Sequence, residues 1–444
     1  MLLEHVHSFA SHQDKKVQLF TKTKRSKNTK TSDNDFINEQ DTFHRAVGPV
    51  FFAIQLFAIF PVKGVLNADI EKLHFKPISL QTIACVLLIV FNLIEFGLLL
   101  YTVPLTGIQS VAYVIFYSIS IGAAFKFIRL AQRWKDFVRF IAKHEVPFTR
   151  LPYKKVANCL NLRLRIRLIT FAILFLSGIE HGLMLVSNYF MIGMKADKCN
   201  MTITDFGEHW VRESRSNWLL IWDYTIFQIP LFEYANYAIT YCWNFVDIMV
   251  MIMSIMIAYR FDQIYERVEG TKGRGMVAFV YPQNFWKEIR THYVDVLRML
   301  QKVNEEISIF VVLSFGNGIY FICLQFYNSF FDRPHLAASI YFWFSIAFLF
   351  LRVVSAVLCA SMIHRSSLRL LKIMKLIPKR EWDVEVQRLY DIMKTEYIGL
   401  SGKRYFIVSR KAMLVMASYI FTYELYFMED KEWEDEQFVA KYCP

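Results

Sequence analysis

Apolar residues in this chain come in long blocks. From Pro77 to Phe125, 49 residues carry one charge, Glu95, and from Ile307 to Phe331, 25 residues carry none. About 20 consecutive apolar residues cross the bilayer core as a helix. Segments 79–101, 108–131, 166–190, 234–258, 305–328, 338–363 and about 411–428 meet that length. A further segment, 46–62, is shorter and holds Gly48, Pro49 and Pro61. It reads as a re-entrant helix, with a short span as the alternative. Segment 217–232 is apolar and aromatic but is broken by Asp223 and Pro230. It reads as an interfacial helix, with Trp218, Trp222 and Tyr224 in the headgroup layer. In 260–303 the pattern changes. Tyr293, Val296, Met299 and Val303 recur at steps of three and four, which is helical spacing, and Arg298 and Lys302 fall off that stripe. Segments 260–303 and 364–404 are expected to hold amphipathic helices on the cytoplasmic side.

Charge sets the expected orientation. Stretches 132–165, 260–303 and 364–404 carry 9, 8 and 10 Lys/Arg against 2, 5 and 5 acids. Stretch 191–233 carries 4 basic residues against 6 acids, and 429–444 carries 2 lysines against 6 acids. Basic loops stay in the cytoplasm. The expectation is therefore seven crossings with a cytoplasmic N-terminus and an extracellular C-terminus. An eighth crossing would put the 8 Lys/Arg of residues 1–45 outside. A G-protein-coupled receptor has the opposite polarity. Its Asp-Arg-Tyr-like triplet after the third span and its Asn-Pro-containing seventh span are both missing here.

Composition agrees. The chain is 55% hydrophobic, 16% aromatic and 20% charged, with a mean hydropathy of +0.28, whereas a soluble domain is about 45–50% apolar and about 25% charged. This excludes an ordinary soluble enzyme, a coiled coil and a disordered chain. The net charge of +12 reflects basic loops and gives no reason to expect nucleic acid. Cys85, Cys242, Cys323 and Cys359 lie in apolar runs and read as core. Asn200-Met201-Thr202 is a glycosylation sequon in a loop expected outside. Cys199 and Cys443 are also expected outside, where disulfides persist; they either join loop to tail, remain free or pair elsewhere.

Polar groups inside the spans need a reason. The plain one is packing between helices; the sharper one is a ligand pocket. Tyr113, Glu180, His181, Trp243, Asn244, Asn317, Tyr320, Gln325, Tyr341 and Trp343 come from several spans and fall at or above mid-depth on the expected outer side. Flat aromatic faces with a few fixed polar groups suit small ligands. Sugars fit well, because their C–H faces stack on rings and their hydroxyls need donors and acceptors. Asp247 and Arg352 fall deeper and read as ion-paired structural or gating residues. Glu180-His181 is the one adjacent acid–imidazole pair. It lacks the i, i+4 metal spacing, so neither a metal, a cofactor nor a membrane enzyme's catalytic cluster is expected.

Five motifs carry a resemblance. They are Phe43-His44-Arg45-Ala46-Val47, Glu180-His181, Trp243-Asn244 with Asp247, the run Asn317 to Gln325, and Thr422-Tyr423-Glu424-Leu425 downstream of Ser401-Gly402-Lys403-Arg404. Together, over about residues 42–430, they resemble insect gustatory receptors, and the Thr-Tyr-Glu-Leu form looks like the sugar-receptor branch. The resemblance implies an all-α membrane protein of seven transmembrane helices plus a re-entrant N-terminal helix, similar in fold to insect odorant receptors. It implies a sugar-gated, non-selective cation channel of the sensory-neuron plasma membrane, built as a homotetramer or with related subunits. The implied divisions are a cytoplasmic tail 1–42, a ligand-binding membrane region 43–363, anchor helices 364–404, a pore-lining helix 405–430 and an extracellular tail 431–444. The candidate ligand set, taken with the depth argument, is Tyr113, Glu180, His181, Trp243, Asn244, Asp247, Asn317, Tyr320, Gln325, Tyr341 and Trp343. Tyr426, Glu429 and Asp430 fall at the implied outer pore constriction. The family has Gln-Phe where this chain has Glu429-Asp430, which either ring the pore with acid or begin a solvated tail. A receptor signalling through a G protein and a membrane-bound enzyme are the rival readings.

Overall fold

The computed structural model describes residues 41–102, 108–156, 160–198, 206–271, 282–395 and 398–409, together with Lys411, Val415, Ser418 and Thr422. Helix α1 (Phe43–Gln55) is followed by a minimal hairpin of β1 (Val62–Lys63) and β2 (His74–Phe75). Then come α2 (Leu80–Thr102), α3 (Ile108–Glu145), α4 (Leu162–Lys198), the short α5 (Phe206–Arg215), α6 (Gln228–Glu269), α7 (Phe285–Ser329), α8 (Leu336–Met374) and α9 (Val384–Thr395). A second hairpin, β3 (Ser401–Gly402) with β4 (Phe406–Ile407), follows.

Helices α2, α3, α4, α6, α7 and α8 are long and apolar enough to cross a membrane. They coincide with six of the seven expected spans. The seventh, about 411–428, lies largely outside the described residues; the four residues described beyond Ser409 are helical. All but α2 run well past their apolar blocks. At 37 to 45 residues they are about 55–68 Å long, roughly twice the bilayer core. Hydropathy marks only the lipid-facing part, whereas a formed helix lengthens by one backbone bond per added residue.

Helix α1 has 13 residues, about 20 Å, too short to span. It stops before the expected 62 because Ala58 and Phe60 take left-handed backbone angles, φ 53° and 61°. The Gln55 amide ties this turn by donating to the Phe60 and Val62 carbonyls at 3.1 and 2.7 Å. Gly48 lets α1 sit on the chain after β1, since a Cβ there would lie 2.5 Å from the Val65 carbonyl oxygen.

Helix α6 is the hub. It packs against α3, α4, α7 and α8, and every residue from Asn244 to Ile264 is buried. A helix that is apolar all round belongs inside a bundle, and Met249, Met251, Met253 and Met256 fill its irregular surroundings. The stripe in 260–303 behaves as its helical spacing predicts: Tyr293, Val296, Met299 and Val303 are fully buried, while Arg298 pairs with Asp295 and Lys302 with Glu305 and the buried Glu306. Cys85, Cys242, Cys323 and Cys359 are buried free thiols.

Ion pairs bring the three basic stretches together at one end of the bundle. Glu145 at the end of α3 meets the buried Arg260 of α6, and both Glu145 oxygens accept the Phe43 N–H that opens α1, at 3.0 Å. Arg260 also donates to the Asp41 carbonyl at 2.9 Å and to Gln263 at 2.6 Å. Arg290 of α7 binds Glu385 of α9 at 2.5 Å, and Arg369 of α8 reaches Asp262 of α6 at 3.4 Å.

One expectation fails. Segment 217–232 is no interfacial helix. A 3-10 turn, Ser216–Leu220, ends α5, and α6 begins at Gln228. Gln228 is buried, and its amide caps the preceding loop at the Asp223 carbonyl, 2.8 Å away. Trp218 turns inward. Its ring stacks on Phe91 at 4.6 Å, and its indole N–H donates to Glu95 of α2. An intramembrane carboxylate offers more than a headgroup layer does, because burying it unpaired is costly.

Candidate ligand pocket

The polar residues of the spans form three tiers at the end of the bundle opposite the basic one. The first joins the 191–233 segment to α2. Arg215 of α5 pairs with Glu95 at 3.0 Å, Trp218 donates to the same carboxylate, and the Tyr117 hydroxyl of α3 approaches it at 3.4 Å. In the second, His181 and Glu180 diverge, as adjacent helical residues must. The His181 imidazole meets Glu233 of α6 at 3.3 Å and lies on the Tyr237 ring, 3.6 Å between centroids. Glu180 accepts from Ser345 of α8 at 2.6 Å. Tyr341, one turn before Ser345, has Glu180 and Tyr113 as electrostatic neighbours.

The third tier answers which partners Asp247 and Arg352 take: each other. Arg352 Nε lies 2.8 Å from Asp247 Oδ2, and Ser314 of α7 donates to Asp247 at 2.5 Å. Arg352 also donates to Asn244 Oδ1, while the Asn244 amide donates to Ser177 of α4 at 2.5 Å. Four helices are thus stitched by one buried guanidinium. Asn244 and Asp247 were grouped with the ligand residues. Here their side chains are held by protein partners, and both are almost wholly buried. For Asp247 this geometry matches the ion-paired structural reading, and Asn244 is held in the same network.

Above this knot lie polar atoms that the protein leaves unanswered. The indole N–H of Trp243, the side-chain carbonyl of Asn317 and the hydroxyl of Tyr320 are buried without a hydrogen-bond partner among the described residues. The Trp243 ring sits between Phe116 of α3, at 5.1 Å, and Phe321 of α7, at 4.8 Å, and Tyr320 meets Phe321 edge-on at 5.1 Å. The Arg352 guanidinium lies 4.9 Å from the Trp243 ring. An unmet buried donor or acceptor costs about 1–3 kcal/mol. One donor, one acceptor and one group that can be either, set among rings, are what a polyhydroxylated molecule pairs with.

The other expected contacts are spread. Gln325 and Tyr341 are half-buried. Tyr113 and Trp343 are 58% and 59% exposed, so this single chain does not enclose them. Tyr426, Glu429, Asp430, Asn200, Cys199 and Cys443 lie outside the described residues. A separate hollow, lined by Cys85, Ile89, Asn92, Ser120, Phe127 and Cys242 among others, is mostly aliphatic and ill-suited to a polyol. Among the described residues no His/Cys/Asp/Glu group could hold a metal. The sequence reading missed Arg215, Glu233 and Ser177. Glu95 was the available signal, since a lone charge in a long apolar block requires a partner.

The trehalose receptor family model matches residues 18–443. The chain belongs to that family. It is 31% identical over 395 residues to the gustatory receptor for sugar taste 64a of Drosophila melanogaster, covering 88% of this chain and 85% of that one. It is 29% identical over 388 residues to the gustatory receptor for sugar taste 64b of the same species, covering 87% and 94%. In fold it is similar to the insect olfactory receptor OR5 of Machilis hrabei, solved in complex with eugenol, with a TM-score of 0.60, 13% identity and coverage of 88% and 98%. The protein is therefore a multi-pass receptor of the plasma membrane, within a gustatory family of receptors rather than enzymes, on an olfactory-receptor-like helical fold.

Proposed function

We propose that this receptor is a sugar-gated, non-selective cation channel of sensory neurons, with its basic end in the cytoplasm. The observation that carries the sugar assignment is the trio of unpartnered atoms on Trp243, Asn317 and Tyr320. A sugar that pairs with them removes the desolvation penalty that those unmet atoms bear, and rings beside them supply stacking faces. Family membership and the names of the sugar-taste relatives support the same class of ligand. Gating requires that sugar bind the open form more tightly than the closed one. The route runs along α7 and α8, through Ser314, Asp247 and Arg352, to the β3–β4 hairpin and the helix that follows it. Four subunits, alike or with related chains, enclose the pore, each contributing that last helix.

Three smaller proposals attach to this reading. Glu429 and Asp430 form an acidic ring that draws cations to the pore mouth. Neutralising them as Glu429→Gln and Asp430→Asn then lowers cation conductance; unchanged permeation counts against the ring. Asn200 carries glycan, and Cys199 joins Cys443; alkylation of both thiols in unreduced, denatured receptor would sink that bond.

The central test is whole-cell recording from cells expressing this chain at the surface, under a panel of mono- and disaccharides. Sugar-evoked cation current that Tyr320→Phe shifts to higher sugar concentration supports the proposal. No current, alone or with related receptor subunits co-expressed, overturns it. Antibody access to an N-terminal epitope in intact cells would favour G-protein signalling instead.

A further inference from the structure

The basic residues of this chain fall into two groups. Some are answered: Lys135 and Arg139 by Glu71, Arg267 by Glu288, Arg290 and Arg388 by Glu385, Arg298 by Asp295, and Arg369 by Asp262. Others have no ion-pair partner among the described residues, and of these Lys126, Arg129, Arg133 and Lys403 lie near one another. The first three stand at i, i+3 and i+7 on α3, hence on one helix face. Lys403 comes from the β3–β4 hairpin, and with Arg129 and Arg133 it bears electrostatically on Lys126. One acid bears on Lys126, the buried Glu306, and it is already held by Lys302 at 3.3 Å. Four like charges that share one such acid still repel one another.

Two further observations say what answers them. Lys126 is the first charge after the apolar run 108–125, which is about 27 Å of helix and so about one bilayer core. The cluster therefore begins at headgroup depth. Lys126 is half-buried and the other three are exposed, with Phe125 above them at 49% exposure and Tyr405 beside Lys403 at 86%. The hairpin turn, moreover, holds Lys403 and Arg404 at φ 52° and 66°. This left-handed region favours glycine, and charged side chains kept there at a conformational cost point to a function.

We propose that Lys126, Arg129, Arg133 and Lys403 form a site for a phosphate monoester, carried on the headgroup of an anionic membrane lipid. Several ammonium and guanidinium groups converging from two elements match a group with several acceptor oxygens and more than one negative charge. The site joins α3 to the hairpin that leads into the last helix, so an occupied site holds that hairpin against the bundle. The consequence for gating rests on the channel reading above; the site itself does not.

The test uses purified full-length receptor in detergent micelles and a fluorescent short-chain phosphatidylinositol 4,5-bisphosphate. The expected result is saturable binding that weakens about fivefold with each of Lys126→Gln and Lys403→Gln and is unchanged by Lys135→Gln or Arg298→Gln. An unchanged melting temperature shows that each variant is folded. Competition by inositol 1,4,5-trisphosphate only in large excess over the lipid supports the lipid-borne headgroup; equal competition supports the same site with a soluble phosphate as its occupant, and lipid binding with no competition at all overturns recognition of the phosphate. No saturable binding of either probe, or equal binding by the unaltered receptor and the Lys126→Gln/Lys403→Gln variant, overturns the proposal. Micelle binding needs neither sugar nor sidedness, so its failure and a failure of the sugar-current test are told apart.

Discussion

The two ends of this bundle treat buried polarity differently in degree. At the basic end a buried guanidinium, Arg260, is surrounded by Glu145, the Asp41 carbonyl and Gln263, and the same Glu145 fixes the start of α1. Arg267 grips Glu288 through two bonds, of 3.0 and 2.7 Å. At the pocket end Arg352 is equally well held, but the layer above it leaves Trp243, Asn317 and Tyr320 with unanswered atoms. A satisfied network rigidifies, whereas an unsatisfied one costs stability until something else completes it. The first end is the more fully paired, although Arg260 Nε has no hydrogen-bond partner among the described residues, and on the proposed reading the second waits for a ligand.

The strongest way to break this comparison is at Arg260. Arg260→Ala leaves Glu145 buried without its partner, and removal of one member of a buried pair costs about 3–5 kcal/mol. The expected outcome is a large drop in the melting temperature of purified receptor, with or without sugar. A near-normal melt would show that the basic end is not the rigid one. Gly318→Ala comes next. A Cβ there would lie 2.9 Å from Val353 Cγ2 where α7 crosses α8, and valine cannot easily swing aside. Overpacking of this kind costs about 1–3 kcal/mol, and Val353→Ala in the same chain should restore the melt.

Tyr320→Phe sharpens the contrast from the pocket side. It deletes an unpartnered hydroxyl, so folding stability should hold or rise slightly, while the sugar concentration for half-maximal response rises about fivefold, the worth of one net hydrogen bond. Lost stability without a shift in response would assign the hydroxyl to packing. The smallest effect is one of pH. The Arg290 guanidinium holds the Glu385 carboxyl below its ordinary value of 4.5. A lowered folded value means that the pair's support is fully present above the ordinary value and is lost as pH falls through the lowered one. Amide exchange in α9 should therefore quicken only on strong acidification, and Glu385→Gln should abolish that dependence.

Much of the helix framework was legible in the chain because its signals are local. The long apolar blocks marked six spans that the structure describes, and the Tyr293–Val303 stripe marked the buried face of a helix outside the apolar blocks. Segment 217–232 misled for the opposite reason. Its aromatic residues match a headgroup layer by composition, but Glu95 lies 123 residues from Trp218 and claims it. Trp243, Asn317 and Tyr320 were legible as candidates because polar groups inside spans are conspicuous. Which of the candidates stay open was not legible. Asn244 and Trp243 are chain neighbours, and one is tied down while the other is free.

The sequence alone, then, determined where helices form, which segments carry the positive charge and which polar residues lie at membrane depth. Each of these follows from the identity of neighbouring residues and the helical repeat. Only the tertiary structure decided that Asp247 belongs to Arg352, Glu95 to Arg215 and Trp218, and Glu145 to Arg260. Those choices depend on which helices pack side by side and at what height, and the energy that enforces them, the cost of an unpaired charge away from water, exists only once the helices have closed around it.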